Sequence, residues 1–193
     1  MKRRLFIAIN LDQQARRAIG RAEEDIEDAF SFEQGKHVRF MPEENWHITI
    51  SFLGTQDDAD LTAIMEAIRG TVKDLSDVTV SFTEITYAPQ AVNPRMIWLC
   101  ASRETSRALG TIKDALDYRL AEAGVRFERE SRAFSGHITL ARFQGAALGG
   151  LPSVERELKI NCTGTSLDLM ESELSRNGAE YTVLQKFSFS NEK

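Results

Sequence analysis

The chain has 193 residues, of which 42% are hydrophobic and 27% charged, and this composition predicts one globular domain over residues 1–193. The formal net charge is −5, from 29 acidic residues against 24 lysines and arginines. That balance excludes a protein that coats long nucleic acid through many phosphate contacts, although a pocket for one terminal phosphate needs only a few local arginines. The apolar run after Met1 is too short for a signal peptide, and no stretch approaches the roughly 20 apolar residues of a membrane span. We therefore expect a cytoplasmic protein.

Hydrophobic periodicity predicts alternating strands and helices in the first half of the chain. Strands are indicated by short apolar runs rich in β-branched and aromatic residues, and helices by apolar residues three or four positions apart. In chain order, the predicted elements are a strand at Arg4–Ile9, a helix from an Asp12 N-cap to about Phe30, strands at Val38–Phe40 and at Trp46–Leu53 closed by Gly54, a helix from Asp57 and Asp58 through Val72, and a strand at Val78–Tyr87.

The second half follows the same pattern at first and then becomes richer in strands. In chain order, its predicted elements are a strand at Arg95–Ala101, a helix from Glu104 to about Ala123, strands at Val125–Phe127 and His137–Phe143, a glycine-rich loop at Gly145–Leu151, and strands at Val154–Ile160, Thr165–Glu171 and Tyr181–Phe189.

The two halves share a motif order at a constant offset of 90 residues. Ile7 lies 40 residues before His47, and Ile97 lies 40 residues before His137. Each interval contains an apolar strand, an amphipathic helix, Val-Arg-Phe, and then His-Ile-Thr with an aliphatic residue. Such a repeat predicts an internal duplication of residues 4–90 and 94–189 about an approximate two-fold axis.

The repeated His-Ile-Thr motifs are the strongest functional signal in the sequence. Side chains alternate along a strand, so His47 and Thr49 share one face, and His137 and Thr139 share the equivalent face. The intervening isoleucines point to the opposite face, where helices can bury them. Two such strands related by a two-fold axis would place two imidazoles and two hydroxyls across one cleft.

Two histidines and two hydroxyls suit phosphoryl transfer without a metal. A neutral imidazole deprotonates the nucleophile, an imidazolium protonates the leaving oxygen, and the hydroxyls hold the phosphate oxygens. Histidine can fill both roles because its ordinary pKa is about 6.5. A zinc site would need three or four ligands at a recognisable spacing, and no such set occurs. We expect neither a metal nor another cofactor.

The motifs and their surroundings resemble the 2H phosphoesterases, and among them the RNA 2′,3′-cyclic phosphodiesterases once called 2′-5′ RNA ligases. The resemblance covers nearly the whole chain. It rests on the opening strand, the two His-Ile-Thr blocks and the C-terminal strands. The residues that carry it are Arg4–Ile9, Val38–Phe40, Pro42–Asn45, His47–Ile50, Phe52–Gly54, Phe134, His137–Arg142, Leu169, Glu171, Ser172, Leu174, Gly178, Tyr181–Leu184 and Phe187. Two departures stand out. Ser135-Gly136 replaces the family's usual Arg-Pro, and Trp46 stands where a smaller aliphatic residue is common.

The resemblance implies roles for individual residues. His47 would be the proton donor and His137 the proton acceptor, while Thr49 and Thr139 would bind the non-bridging phosphate oxygens. Arg142 would help to neutralise the cyclic phosphate. Because Arg142 lies five residues after His137, strict alternation would place it on the wrong face, and a bulge or a strand end is needed to bring it round.

Three aromatic residues and a set of arginines near the motifs have competing interpretations. Phe40, Trp46 and Phe134 could stack on a terminal base, although such residues more often belong to the core. The arginines near the strand ends could form a basic rim or could simply be solvated; they are Arg39, Arg126, Arg129 and Arg132.

The sequence thus predicts an α+β protein of two pseudo-symmetric lobes, each a mostly antiparallel sheet with helices on its outer face, with the active-site cleft between them. The expected reaction is hydrolysis of an RNA terminal 2′,3′-cyclic phosphate to a 2′-phosphate, with weak 2′-5′ ligation in reverse. The alternatives are a 2H phosphoesterase acting on a small cyclic nucleotide or ADP-ribose cyclic phosphate, and a non-catalytic module that binds RNA ends. Expected partners are RNA ends or small nucleotides bearing a 2′,3′-cyclic phosphate. We expect a monomer that needs neither a membrane nor an obligate protein partner.

Overall fold

The computed structural model describes residues 1–31, 37–90, 93–143, 151–175 and 178–190. Within them the chain forms three α-helices and nine β-strands. The helices are α1 (Gln13–Glu27), α2 (Leu61–Val72) and α3 (Arg103–Glu122). The strands are β1 (Lys2–Asn10), β2 (Val38–Phe40), β3 (His47–Asp57), β4 (Val78–Ala88), β5 (Met96–Ala101), β6 (His137–Phe143), β7 (Arg156–Gly164), β8 (Ser166–Ser175) and β9 (Gly178–Ser188). No helix in these ranges is both long and apolar enough to cross a bilayer.

The strands form two antiparallel sheets, which confirms the predicted α+β class. The first sheet has the order β3-β1-β8-β9, and the second has the order β2-β6-β5-β4-β7. Each sheet takes strands from both halves of the sequence, because β2 and β4 pair in the second sheet while β8 and β9 pair in the first. The strands next to β1 are β3 and β8, and those next to β5 are β6 and β4, so the motif strand adjoins the central strand in both sheets. The proposed duplication of residues 4–90 and 94–189 stays a prediction.

Helix α1 begins where the sequence predicts. The carboxylate of Asp12 accepts a hydrogen bond from the backbone N–H of Ala15 at 2.7 Å, which satisfies a donor that the first helical turn leaves unpaired. The helix buries Ala15, Ile19 and Ile26 and ends at Glu27, one turn before the predicted end. This buried stripe packs into the same core as the apolar residues of β1 and β3.

Strand β3 continues past the predicted stop at Gly54. Gly54 has a φ of +67°, which suits glycine, and it lies where the pairing with β1 shifts register, from Leu5 opposite Gly54 to Phe6 opposite Phe52. The glycine therefore accommodates a bulge inside the strand, and the ladder runs on to Asp57.

The predicted strand at Val125–Phe127 is wrong. The segment follows α3 without joining a ladder, and the backbone N–H of Val125 bonds to Leu120 O. The buried side chain of Gln56 on β3 donates a hydrogen bond to Arg126 O at 2.8 Å. The Gln56 side chain thus takes the hydrogen bond that a neighbouring strand would make with Arg126. The predicted loop at Gly145–Leu151 lies, apart from Leu151, outside the described residues.

A buried polar contact joins α3 to β3. The Ser51 hydroxyl donates to Asp117 Oδ1 at 2.7 Å, and Lys113 forms an ion pair with the other oxygen of the same carboxylate. The side chains of Lys113 and Asp117 are only 8% and 7% exposed. Because every charged group here is both buried and paired, removing one partner would leave another unsatisfied.

We predict that Asp117→Ala lowers the free energy of unfolding by about 3–5 kcal/mol, because it leaves the Lys113 ammonium buried without a partner. Ser51→Ala should cost only about 1–2 kcal/mol, since it removes a single hydrogen bond. Urea unfolding of the three proteins checks both values. Equal losses in the two variants would contradict the role given to the buried lysine.

Candidate active site

His47 lies at the start of β3, on the face of the first sheet that also carries Thr49. Its Nδ1 donates to the carbonyl oxygen of Asn45 at 2.7 Å, and its Nε2 lies 3.2 Å from Thr49 Oγ1. A carbonyl oxygen can only accept, so Nδ1 holds the hydrogen and the neutral ring presents the lone pair of Nε2. The isoleucines at 48 and 50 are fully buried beneath, as alternation predicts.

His137 has the same arrangement at the start of β6. Its Nδ1 donates to the carbonyl oxygen of Ser135 at 2.8 Å, so the neutral ring again presents Nε2. Thr139 lies two residues further along the same face, while Ile138 and Leu140 are fully buried on the other. In both motifs, a backbone carbonyl two residues earlier therefore fixes the tautomer and the orientation of the imidazole.

Each motif strand contains a bulge at the same place. Ile7 pairs with Ser51 and Ala8 with Thr49, so Ile50 is an extra residue in β3. Ile97 pairs with Ala141 and Trp98 with Thr139, so Leu140 is the extra residue in β6.

These bulges reset the alternation of the motif strands. The burial patterns of the six residues that begin β3 and β6 are identical, and each ends on an exposed side chain, Phe52 in β3 and Arg142 in β6. The bulge that Arg142 requires is thus present, and it places Arg142 on the face of His137 and Thr139.

Aromatic side chains that the sequence analysis did not single out contact both imidazoles. The indole of Trp98 on β5 stacks on the ring of His137, with the centroids 3.8 Å apart and the planes 21° apart. Phe6 on β1 and Tyr181 on β9 contact the ring of His47, with ring centroids 4.9 and 5.0 Å from the imidazole centroid. The available signal was alternation, since Trp98 lies between the core residues Ile97 and Leu99 and must therefore face away from the core.

Both histidines are neutral in the free protein near pH 7. Burial lowers the pKa of His47 to about 4, helped by the charges of Arg142 and Arg16 and by repulsion from His137 whenever that ring is protonated, while the hydrogen bond to Asn45 acts in the opposite direction. Burial also lowers the pKa of His137, and Arg142 contributes, whereas the hydrogen bond to Ser135 and the charge of Glu130 act in the opposite direction. The two motif strands also approach each other directly, with Cα atoms of β3 and β6 within 8 Å of one another.

Comparison with known proteins agrees with this geometry. The family model described as LigT-like phosphoesterase matches residues 9–98, a range that contains the first motif. An RNA 2′,3′-cyclic phosphodiesterase of Methanothermobacter thermautotrophicus is 26% identical over 97% of this chain and 99% of its own. A protein of the same name from Thermus thermophilus is 28% identical over 98% of this chain and 91% of its own.

Solved structures share the fold. The crystal structure of TT0787 from Thermus thermophilus superposes with a TM-score of 0.78, at 24% identity over 96% of this chain and 97% of the other. Escherichia coli LigT complexed with 3′-AMP superposes with a TM-score of 0.75, at 23% identity over 99% of this chain and all of the other. The chain is therefore similar to LigT-like phosphoesterases over residues 9–98 and to RNA 2′,3′-cyclic phosphodiesterases over nearly its whole length, and it shares the fold of LigT.

Of the three aromatics predicted to stack on a base, Trp46 is buried in the core, and Phe40 and Phe134 pack against other residues. Phe40 packs edge-on against Phe30, with the centroids 6.1 Å apart, on the core side of β2. Phe134 packs against the core and lies over Gly110 of α3. The structure therefore gives both residues a packing role.

Ser135-Gly136, the departure from the family pattern, has a local packing explanation. Gly136 is buried, and a Cβ there would lie 3.2 Å from the Cβ of Ala101. Its N–H donates to the Ser106 hydroxyl at 3.1 Å, and its carbonyl accepts from Ala101 N at 2.8 Å. Glycine thus lets the entry to β6 approach β5 and α3 closely.

The described part of the chain has no cluster of three or more His, Cys, Asp or Glu side chains that could hold a metal ion. The chemistry available at the motifs comes from two imidazoles, two hydroxyls and the Arg142 guanidinium.

We predict that Arg142→Gln raises the pKa of both His47 and His137, because it removes a positive charge that disfavours each imidazolium. The chain has only three histidines, so NMR titration of the imidazole Cε1–H resonances can follow each of them. Arg107→Gln, which removes an exposed charge on α3, is the matched control and should leave both titrations in place. A downward shift in Arg142→Gln would contradict the electrostatic account.

Proposed function

We propose that this protein hydrolyses 2′,3′-cyclic phosphates at RNA ends by acid–base catalysis between His47 and His137. The observation that carries the proposal is the matched pair of imidazoles, each held through Nδ1 by a backbone carbonyl and each on the same strand face as a threonine two residues later. A module that only binds RNA ends has no need of two oriented, titratable groups. The names of the full-length relatives support the same substrate.

The proposed reaction is an in-line displacement at phosphorus. Neutral His137 takes a proton from water through Nε2 while the water oxygen attacks phosphorus. The bond between phosphorus and O3′ breaks, and protonated His47 gives the Nε2 proton to O3′, which leaves a 2′-phosphate and a 3′-hydroxyl. Proton exchange with solvent then resets the two rings. If the 5′-hydroxyl of a second RNA takes the place of water, it attacks phosphorus while the bond to O3′ breaks, and the same proton transfers join the two RNA ends through a 2′-5′ bond.

The threonines and Arg142 would act on the phosphate itself. Thr49 and Thr139 lie two residues from the histidines on the same faces, so their hydroxyls can donate to the non-bridging oxygens. Arg142 supplies the positive charge that these hydroxyls lack.

The low pKa of His47 is compatible with the role of proton donor. Burial and neighbouring cations hold that pKa at about 4 in the free protein, and an incoming phosphate anion opposes both effects. His47 can therefore become protonated when the anion is bound, and the resulting imidazolium can give its proton to the leaving oxygen. His137 lacks the Arg16 charge and instead stacks on Trp98, whose π face stabilises a developing imidazolium.

We predict that a short RNA ending in a 2′,3′-cyclic phosphate is hydrolysed to the 2′-phosphate in the presence of excess chelator. His47→Ala and His137→Ala should each lower the rate by about 10²–10⁴-fold, and the double variant should lose little more because the pair acts as a unit. Chromatography that separates 2′- from 3′-phosphates gives both the rate and the product. Binding of this RNA without turnover would favour the non-catalytic module, and rapid hydrolysis of ADP-ribose cyclic phosphate with none of the RNA would favour the small-nucleotide alternative.

A substrate with a good leaving group separates the roles of the two histidines. On bis(4-nitrophenyl) phosphate, His47→Ala should regain much of its rate, because 4-nitrophenolate departs with little protonation, while His137→Ala should stay slow. Release of 4-nitrophenolate measures both rates. Rescue of His137→Ala instead would reverse the assignment of acid and base.

A further inference from the structure

Two arginines lie directly opposite each other on neighbouring strands of the second sheet. Arg39 of β2 pairs in register with Arg142 of β6. Like charges in this position destabilise a sheet unless an opposite charge lies between them. Among the described residues, neither guanidinium has a carboxylate within ion-pair distance, and Arg142 donates to Met96 Sδ at 3.4 Å. Within that part of the chain, the pair is thus an uncompensated site of positive charge.

Both side chains are on the histidine face. Phe40 points into the core against Phe30, so its neighbour Arg39 must point the other way. Residues paired directly across an antiparallel ladder share a face, and Arg142 is exposed on the face of His137.

Arg39 also reaches the other sheet. A Cβ at Gly178, the first residue of β9, would overlap the guanidinium of Arg39. Gly178 has a φ of +111°, a conformation that favours glycine, so the chain provides the space in which this guanidinium lies. Arg39 therefore extends from an edge strand of the second sheet to the start of an edge strand of the first.

The position of Arg39, one strand away from the strand of His137, indicates what it would bind. Arg142 is on the His137 strand, whereas Arg39 is one strand further out, which places its backbone about 5 Å beyond. Because Arg142 already lies on the strand of His137, a guanidinium carried one strand further out suits an anionic group attached to the reacting phosphate. In an RNA, that group is the phosphodiester on the 5′ side of the terminal nucleotide.

We propose that Arg39 binds the first internucleotide phosphate of an RNA whose terminal cyclic phosphate lies between His47 and His137. The inference rests on the proposed function and extends it to substrate choice. Arg39 then distinguishes an RNA end from a cyclic mononucleotide, which carries no second phosphate.

The test compares three substrates that share the reacting group. They are adenosine 2′,3′-cyclic phosphate, the dinucleotide ApA with a terminal 2′,3′-cyclic phosphate, and that dinucleotide with an uncharged methylphosphonate linkage. For each protein, the measured quantity is the ratio of kcat/KM for the charged dinucleotide to kcat/KM for each of the other two substrates.

Arg39→Gln should lower both ratios by about tenfold or more, since it removes a hydrogen bond between two charged groups, and Arg39→Lys should lower them less. Arg142→Gln should slow all three substrates and preserve the ratios, because it acts on the phosphate they share. Arg107→Gln should preserve rates and ratios alike, which controls for the net charge of the protein.

Unchanged ratios in Arg39→Gln, or an equal loss on all three substrates in a variant whose thermal melting is unaltered, would overturn the inference while leaving the proposed function intact. Absence of turnover of all three substrates by the unmodified protein would instead defeat the proposed function and the inference with it.

Discussion

The site depends on a matched pair of β-bulges. A regular strand would bury the side chain five positions after each histidine, because that position falls on the core face. The extra residues Ile50 and Leu140 reset the alternation, so that Phe52 and Arg142 emerge beside the histidines. Leu140, the extra residue of β6, accepts a hydrogen bond through its carbonyl from the backbone N–H of Met41 at 2.7 Å. Because Met41 directly follows β2, this bond helps to hold β2 and Arg39 beside β6. One local irregularity thus positions Arg142 and the strand that carries Arg39.

Each sheet contains strands from both halves of the chain, and this fixes the position of one motif relative to the other. Strand β4 follows β3 in the chain but pairs with β5, and β8 follows the second motif but pairs with β1. Neither sheet is therefore complete without residues from the other half. Two histidines on separate sheets can then hold a fixed separation, which acid–base catalysis on one phosphate requires.

Local signals in the sequence predicted the motif strands, the Asp12 cap and the α+β class, because each depends on alternation, helical period or capping. The strand prediction failed for the second of two identical Val-Arg-Phe segments, because the two segments have different neighbours in the fold. Val38-Arg39-Phe40 forms a strand that pairs with β6. In Val125-Arg126-Phe127, the carbonyl of Arg126 instead accepts a hydrogen bond from the side chain of Gln56. Trp98 and Tyr181 escaped notice for a similar reason, since their contacts with the histidines arise only from strand pairing across long stretches of chain. The roles given to His47, Thr49, His137, Thr139 and Arg142 stay predictions.

The charges around the two imidazoles couple binding to protonation. Burial and the Arg142 guanidinium keep both rings neutral in the free protein, and in that form Nδ1 is held by a backbone carbonyl while Nε2 stays unprotonated. An anion that enters beside Arg142 cancels the charge that lowered the pKa of each ring, so protonation becomes favourable as the substrate arrives. The charge of Arg16 also lowers the pKa of His47. The charge of Glu130 raises the pKa of His137, whose ring stacks on Trp98. The two imidazoles therefore respond differently to the same anion. Unequal environments allow two identical motifs to take the opposite roles of acid and base.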